Sequence, residues 1–196
     1  DAAVQALRKG DIDVVQKLTP AQFNALSGQE DVERVKGQGR RFYEIILNPG
    51  ATDSENRSIG SGHPALRDVR VRQAIDHAID RKTLVDRVLG GYGQIGSGYL
   101  PPIFADYHWS PQRPRQFDLQ TANRILDEAG YQRGEDGIRR TPQGEPLNFD
   151  FVLHGDEPVD AQVGEFVKRW LADIGIRVEL QPVSDNQLNE RTIAGD

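Results

Sequence analysis

The chain has 196 residues, 37% of them hydrophobic and 28% charged, with a formal net charge of −6. That length can bury a substantial core, and the acidic balance argues against a nucleic-acid partner, which needs concentrated positive charge. There is no cysteine, which excludes disulfides, a thiol nucleophile and thiolate metal sites, and no run approaches the roughly 18 apolar residues of a membrane span.

The opening, DAAVQALRKGDIDVV, is folded-domain sequence rather than a signal peptide. The chain has no methionine, even at position 1, and it stops abruptly at NERTIAGD. Both ends therefore read as cut, and the expectation is a processed or excised piece. Residues 3–9 predict a short helix closed by Gly10, and 12–15 a short strand. Thr19 and Pro20 open a second helix with Phe23 and Leu26 on its buried side, ending at Gly28. DVERVKG (31–37) alternates like a strand, and RRFYEIILN (40–48) carries the strongest strand pattern in the chain. Residues 49–67 are Gly- and Pro-rich without periodicity and read as a long loop, mobile or at an interface.

In 68–91 two helices run into one another. Val71, Ala74, Ile75, Ala78 and Ile79 form one apolar series, and Leu84, Val85, Val88 and Leu89 the next. Asp68 and Asp80 stand where N-caps belong, with Thr83 and Asp86 on the outer face of the second helix. Arg67, Arg70 and Arg72 read as a solvated helix surface. The glycine-spaced loop 90–102 has a G-x-G spacing, but neither the strand before it nor the helix after it that a phosphate-binding loop requires. Asp118 caps a helix that Gly130 ends. A short strand and a Pro-Gly turn follow, then a strand at 147–153, a long helix to Gly175, a strand from 176, and a last helix capped by Ser184. Strand–helix–strand over 147–182 predicts parallel pairing, and the earlier strands are free to pair antiparallel. The fold class is α/β, a mixed β-sheet flanked by helices, in a single domain over 1–196.

Chemistry is sparse. The four histidines, His63, His77, His108 and His154, show no metal-ligand spacing; His77 reads as a surface residue and His108 as part of an aromatic loop packed on the domain. The carboxylate pairs Glu135/Asp136 and Asp156/Glu157 sit in loops. There is no G-x-S-x-G elbow and no EF-hand ligand set. A hydrolase built on His154 with Asp156 and Glu157 lacks an oriented nucleophile. No catalytic residue, metal site or cofactor is expected.

The segment RDVRVRQAIDHAIDRKTLVDRVLGGYG (67–93), with Pro101-Pro102 after it and RILDEAGY (124–131) beyond, resembles the family 5 extracellular solute-binding proteins. These are the dipeptide and oligopeptide receptors of ABC importers. AAVQALRKGDIDVV, YEIILN, FVKRWLADIGIRVELQPV and the terminal AGD fit the same family in order, with Ile125 where leucine is usual. The resemblance implies one internal lobe of a two-lobed, periplasmic-binding-protein-like (type II) fold, the other lobe being absent. It implies capture of a peptide or other small solute outside the cell, by a protein that is lipid-anchored at the surface or periplasmic, with ABC transporter membrane subunits as partners. A monomer is expected. The family's Gly-Trp and acidic ligand segment would follow Asp196. Carried over residue by residue, the ligand loop is His154, Gly155, Asp156 and Glu157, where helix N–H groups suit a carboxylate, the two acids suit an ammonium, or Asp156 caps the helix. Tyr99 is a further pocket candidate, against a packing role. The alternative function is the ligand-sensing module of a transcription regulator that reuses the fold. With half the contacts missing, the isolated lobe is expected not to bind measurably.

Overall fold

The computed structural model describes residues 2–37 and 42–195. In chain order the elements are α1 (Ala2–Lys9), α2 (Pro20–Ala25), β1 (Ala51–Thr52), β2 (Ser58–Ile59), a 3-10 turn (Pro64–Arg67), α3 (Val69–Ala78), α4 (Arg81–Thr83) running into a π-helical turn (Leu84–Val88), α5 (Leu119–Glu128), β3 (Asn148–His154), α6 (Pro158–Asp173), β4 (Arg177–Val183) and α7 (Asp185–Ala194). They gather into two compact units, Asp1–Phe42 with Lys82–Pro111, and Tyr43–Arg81 with Gln112–Asp196.

The first unit is small. Thr19 accepts the Gln22 N–H, and the Gln22 side chain returns to the Thr19 N–H at 2.9 Å, a complete capping box for α2. Val4, Leu26 and Val88 are its buried apolar side chains among the described residues. Phe23 meets the Tyr92 ring edge-on at 5.3 Å, while Arg34 and Lys36 lie over these two rings. Residues 12–15 and 31–37 form no strand, in contrast to their alternation. With no ladder partner among the described residues, Val14 (71% exposed) and Val35 (74%) stand in solvent.

The second unit holds the larger core. α3 and α5 lie antiparallel and are clasped at both ends. At one end Asp68 caps α3 through the Arg70 N–H (2.9 Å), grips the Arg70 guanidinium with both oxygens, and accepts from the Tyr131 hydroxyl just past α5 (3.3 Å). At the other, Asp76 holds Arg115 (2.9 Å) and Arg81. There His77 Nδ1 meets the Gln116 carbonyl, and the His77 carbonyl accepts from the Asp118 N–H, both at 2.8 Å. His77 is thus half-buried and structural rather than a plain surface residue. Between the clasps Val71, Ala74, Ile75, Ala78, Ala122 and Leu126 are buried, each large one worth about 1.5–3 kcal/mol of transfer free energy.

β3 and β4 pair in parallel from Asn148↔Arg177 to His154↔Val183, with α6 as the crossover, as the strand–helix–strand pattern requires. Gly164 lets α6 settle on the sheet: a Cβ there would fall 2.9 Å from a Leu153 methyl. Arg139, 2% exposed, ties this layer to α5. Its guanidinium donates to the Ile174 carbonyl ending α6 (2.9 Å), the Tyr131 carbonyl (2.6 Å), the Asn123 side chain (2.9 Å) and Asp127.

Three expectations are corrected. Over the described residues 42–48 no strand forms; Tyr43 is 62% and Ile46 77% exposed, and the pattern has no neighbouring strand to pair with. Residues 40–41 of that stretch lie outside the described residues. The segment 49–67 is not structureless: β1 and β2 form an antiparallel hairpin whose turn Asp53 organises through Arg57 and two backbone N–H groups, followed by the 3-10 turn. The second helix of 68–91 is α only for Arg81–Thr83 and then widens, the Leu89 N–H reaching back to the Leu84 carbonyl.

Two outcomes follow. Replacing Arg139 by Met strips several buried acceptors of their donor, and urea titration should show a loss of about 3 kcal/mol or more. Arg70 holds the Asp68 carboxyl below the usual carboxylate range; the Asp76 carboxyl, although burial opposes it, is held below by Arg115 and Arg81; Asp118 is lowered by Thr121. Groups lowered on folding stabilise fully above their unfolded pKa, about 4, and lose that contribution as pH falls through the folded value. The urea midpoint should therefore drop steeply on acidification below roughly pH 4. Asp68→Asn, which keeps the cap, should flatten part of that slope; an unchanged slope contradicts the role given to Asp68.

Candidate functional site

Parallel strands of an open α/β layer present their carboxyl ends and following loops to ligand. Here that rim is the loop between β3 and α6. His154 ends β3, half-buried, and its Nδ1 lies 2.8 Å from Asp185 Oδ1 at the start of α7. Gly155 donates its N–H to the Val183 carbonyl at 2.8 Å, closing the loop onto the end of β4. A Cβ on Gly155 would approach that same carbonyl to 3.3 Å, so the residue's size is part of the turn. Asp156 and Glu157 follow, both exposed.

Asp156 does not cap α6. Glu157 is the N-cap residue, and its side chain makes no capping hydrogen bond. Pro158 takes the first helical position and Asp160 the first turn. The rim therefore offers an uncapped helix end and three acids within five residues, with Asp185 held beside His154. All of these residues belong to the second unit. Asp185 is the residue that sequence reasoning passed over. The signal was present, because Ser184 caps α7 directly after β4, and the parallel register places that cap level with His154.

Tyr99 belongs to the first unit. It is 74% exposed, its ring 5.2 Å from that of Phe42. The segment around it is held by His108, whose Nδ1 lies 2.6 Å from the Leu100 carbonyl and whose Nε2 lies 2.9 Å from the Ser110 hydroxyl. The expected aromatic packing of this loop is not realised: Tyr107 is 76% and Trp109 67% exposed. Hydrogen bonds, not ring burial, fix it. Among the described residues no group of three or more His, Asp or Glu side chains has a metal-binding arrangement, and no helix is long and apolar enough to cross a membrane.

The sequence model of the bacterial extracellular solute-binding proteins, family 5 middle, matches residues 1–196. Protein XP55 of Streptomyces lividans is 35% identical over 133 residues, 68% of this chain and 22% of that protein. Di/tripeptide-binding protein 2 of Pseudomonas aeruginosa is 26% identical over 195 residues, 98% of this chain and 32% of its own length. Among solved structures, the oligopeptide-binding protein AppA of Bacillus subtilis in complex with a nonapeptide superposes with a TM-score of 0.59 at 29% identity, covering 63% of this chain and 25% of AppA. Lactococcal OppA with an endogenous peptide, in its closed conformation, reaches a TM-score of 0.72 at 20% identity over 96% of this chain and 36% of OppA. The architecture is thus part of a type II periplasmic-binding-protein-like fold. The chain spans between a fifth and a third of the length of these curated relatives. The match along the whole chain places it among the bacterial extracellular solute-binding proteins of family 5.

Proposed function

We propose that this chain supplies one ligand-facing lobe of a two-lobed receptor that captures peptides outside the cytoplasmic membrane and delivers them to an ABC importer. The observation that carries this reading is the rim at His154, Gly155, Asp156 and Glu157, formed where β3 and β4 end and left open by an uncapped α6. Relatives named for oligopeptides and for di- and tripeptides support the solute class; another is named for nickel, so the fold is not tied to peptides alone. The receptor works as a monomer, lipid-anchored at the surface or free in the periplasm, and docks on the importer's membrane subunits.

The rim's chemistry favours one end of a peptide. Asp156, Glu157 and Asp160 concentrate negative charge beside the helix start, which suits an ammonium and offsets the helix end's pull on a carboxylate. Capture occurs when a second lobe closes over the peptide and removes water from these contacts. Tyr99, an exposed ring on the first unit, is a separate candidate for an apolar ligand contact.

Calorimetry of the 196-residue chain with di- to nonapeptides should give no micromolar binding, whereas a protein in which the chain is joined to its complementary lobe should bind. In that two-lobed protein, Asp156→Asn together with Glu157→Gln should weaken a peptide with a free amino terminus by about tenfold or more, the loss expected for a charge-assisted contact. Binding of the N-acetylated peptide should change little. Equal effects on both peptides overturn the ammonium assignment, and tight binding by the chain alone overturns the need for a second lobe.

A further inference from the structure

The second unit carries a shallow, solvent-open depression of about 670 Å³ lined by Leu47, Pro49, Ala51, Thr52, Arg67 and Arg72. Its two arginines differ from most of the others in that unit. Arg57, Arg70, Arg81, Arg115, Arg124, Arg139 and Arg140 each hold a carboxylate. Arg67 and Arg72 hold backbone carbonyls instead: Arg67 Nε donates to Pro49 at 3.0 Å, and Arg72 Nη1 to Leu66 at 2.6 Å and Arg67 at 3.0 Å. Neither has a carboxylate partner among the described residues, although the chain carries thirty acids.

The hairpin's own acids do not reach them. Arg57 takes Asp53 at 2.7 Å and Glu55 at 3.0 Å, and the remaining Asp53 contacts are backbone N–H groups. Gly50, at φ 75°, takes the left-handed conformation that turns the chain beside Arg67. Each guanidinium is therefore oriented by a carbonyl through part of its fork, with further N–H donors left over. They stand beside apolar surface from Leu47, Pro49 and Ala51. Orienting a guanidinium in advance reduces the ordering cost of binding an anion, and its planar fork matches a carboxylate.

We infer that this depression, formed by Arg67 and Arg72 over the β1–β2 hairpin, binds a small organic carboxylate, with the guanidinium groups on the carboxylate and Leu47, Pro49 and Ala51 against its apolar body. The site uses none of the residues of the β3–α6 rim, so it stands or falls independently of peptide capture.

Hexanoate is the probe. In two-dimensional NMR of the isotope-labelled chain, titration with hexanoate should shift the backbone amides of Gly50, Ala51 and Thr52 and the side-chain Nε–H signals of Arg67 and Arg72, and the shifts should saturate. Hexanamide, equal in shape and uncharged, should leave them in place. Inorganic phosphate should compete weakly, because it lacks the apolar body. Arg67→Gln should weaken hexanoate by about tenfold, the scale of one charge-assisted hydrogen bond. Arg72 also supports the turn at Leu66, so Arg72→Gln is read alongside its melting curve, and Arg67→Gln carries the test should Arg72→Gln unfold. Shifts that fail to saturate, that hexanamide reproduces, that phosphate matches at equal concentration, or that survive Arg67→Gln each overturn the assignment.

Discussion

One buried guanidinium organises the larger unit. Arg139 is the charged side chain most withdrawn from water among the described residues, and a charge so placed is tolerable only when its donors are met. They are met by groups that the chain delivers from three directions: the last turn of α6, the residues closing α5, and α5 itself. Its backbone adds to the knot, donating to Gly175 at 2.7 Å and accepting from Leu147 at 2.8 Å. The point where α6 stops and β4 begins is thereby fixed against the point where β3 begins. Parallel register then carries that constraint along seven residue pairs to the opposite end of the strands.

What arrives at the far end is the rim. Because α6 is seated on the sheet through Gly164, its start cannot drift from the strand ends, and His154, Gly155 and Asp185 are set by backbone pairing rather than by loop chance. A wall on such a base is formed in advance, which would lower the ordering cost of the capture proposed for it. The α3–α5 clasps do comparable work: α3, the first of the two helices read in 68–91, is bolted to the α5 side at each end by an aspartate.

Much of this was legible in residues alone. Asp68, Asp118 and Ser184 announce their helices because an N-cap is a local event, decided by a side chain and the backbone one turn ahead. The β3–α6–β4 unit was legible because its apolar periods switch cleanly. Residues 12–15, 31–37 and 42–48 were not, because a strand exists only through a partner, and alternation cannot say whether one is there. The hairpin at 51–59 was hidden for the opposite reason: its two-residue strands have no pattern, and Asp53 with Arg57 supplies the organisation. Residues 154–157 fall where β3 turns into α6, with His154 the last residue of the strand, but the N-cap position considered for Asp156 is held by Glu157, which makes no cap, and Asp185 entered only through register.

The widened turn at Leu84–Val88 carries a further meaning. Its apolar spacing is that of an ordinary α-helix, yet the ladder there skips to the fifth residue, so one extra residue is accommodated without a break. Such bulges act as insertions absorbed in place. Without that widening, the extra residue would rotate everything downstream by about 100°, the angular step of a helical residue. Gly90, Gly91 and the aromatic segment beyond them would then emerge on another heading. The bulge is thus a phase adjuster, and the direction in which that segment leaves the helix is written in its residue count as much as in its side chains.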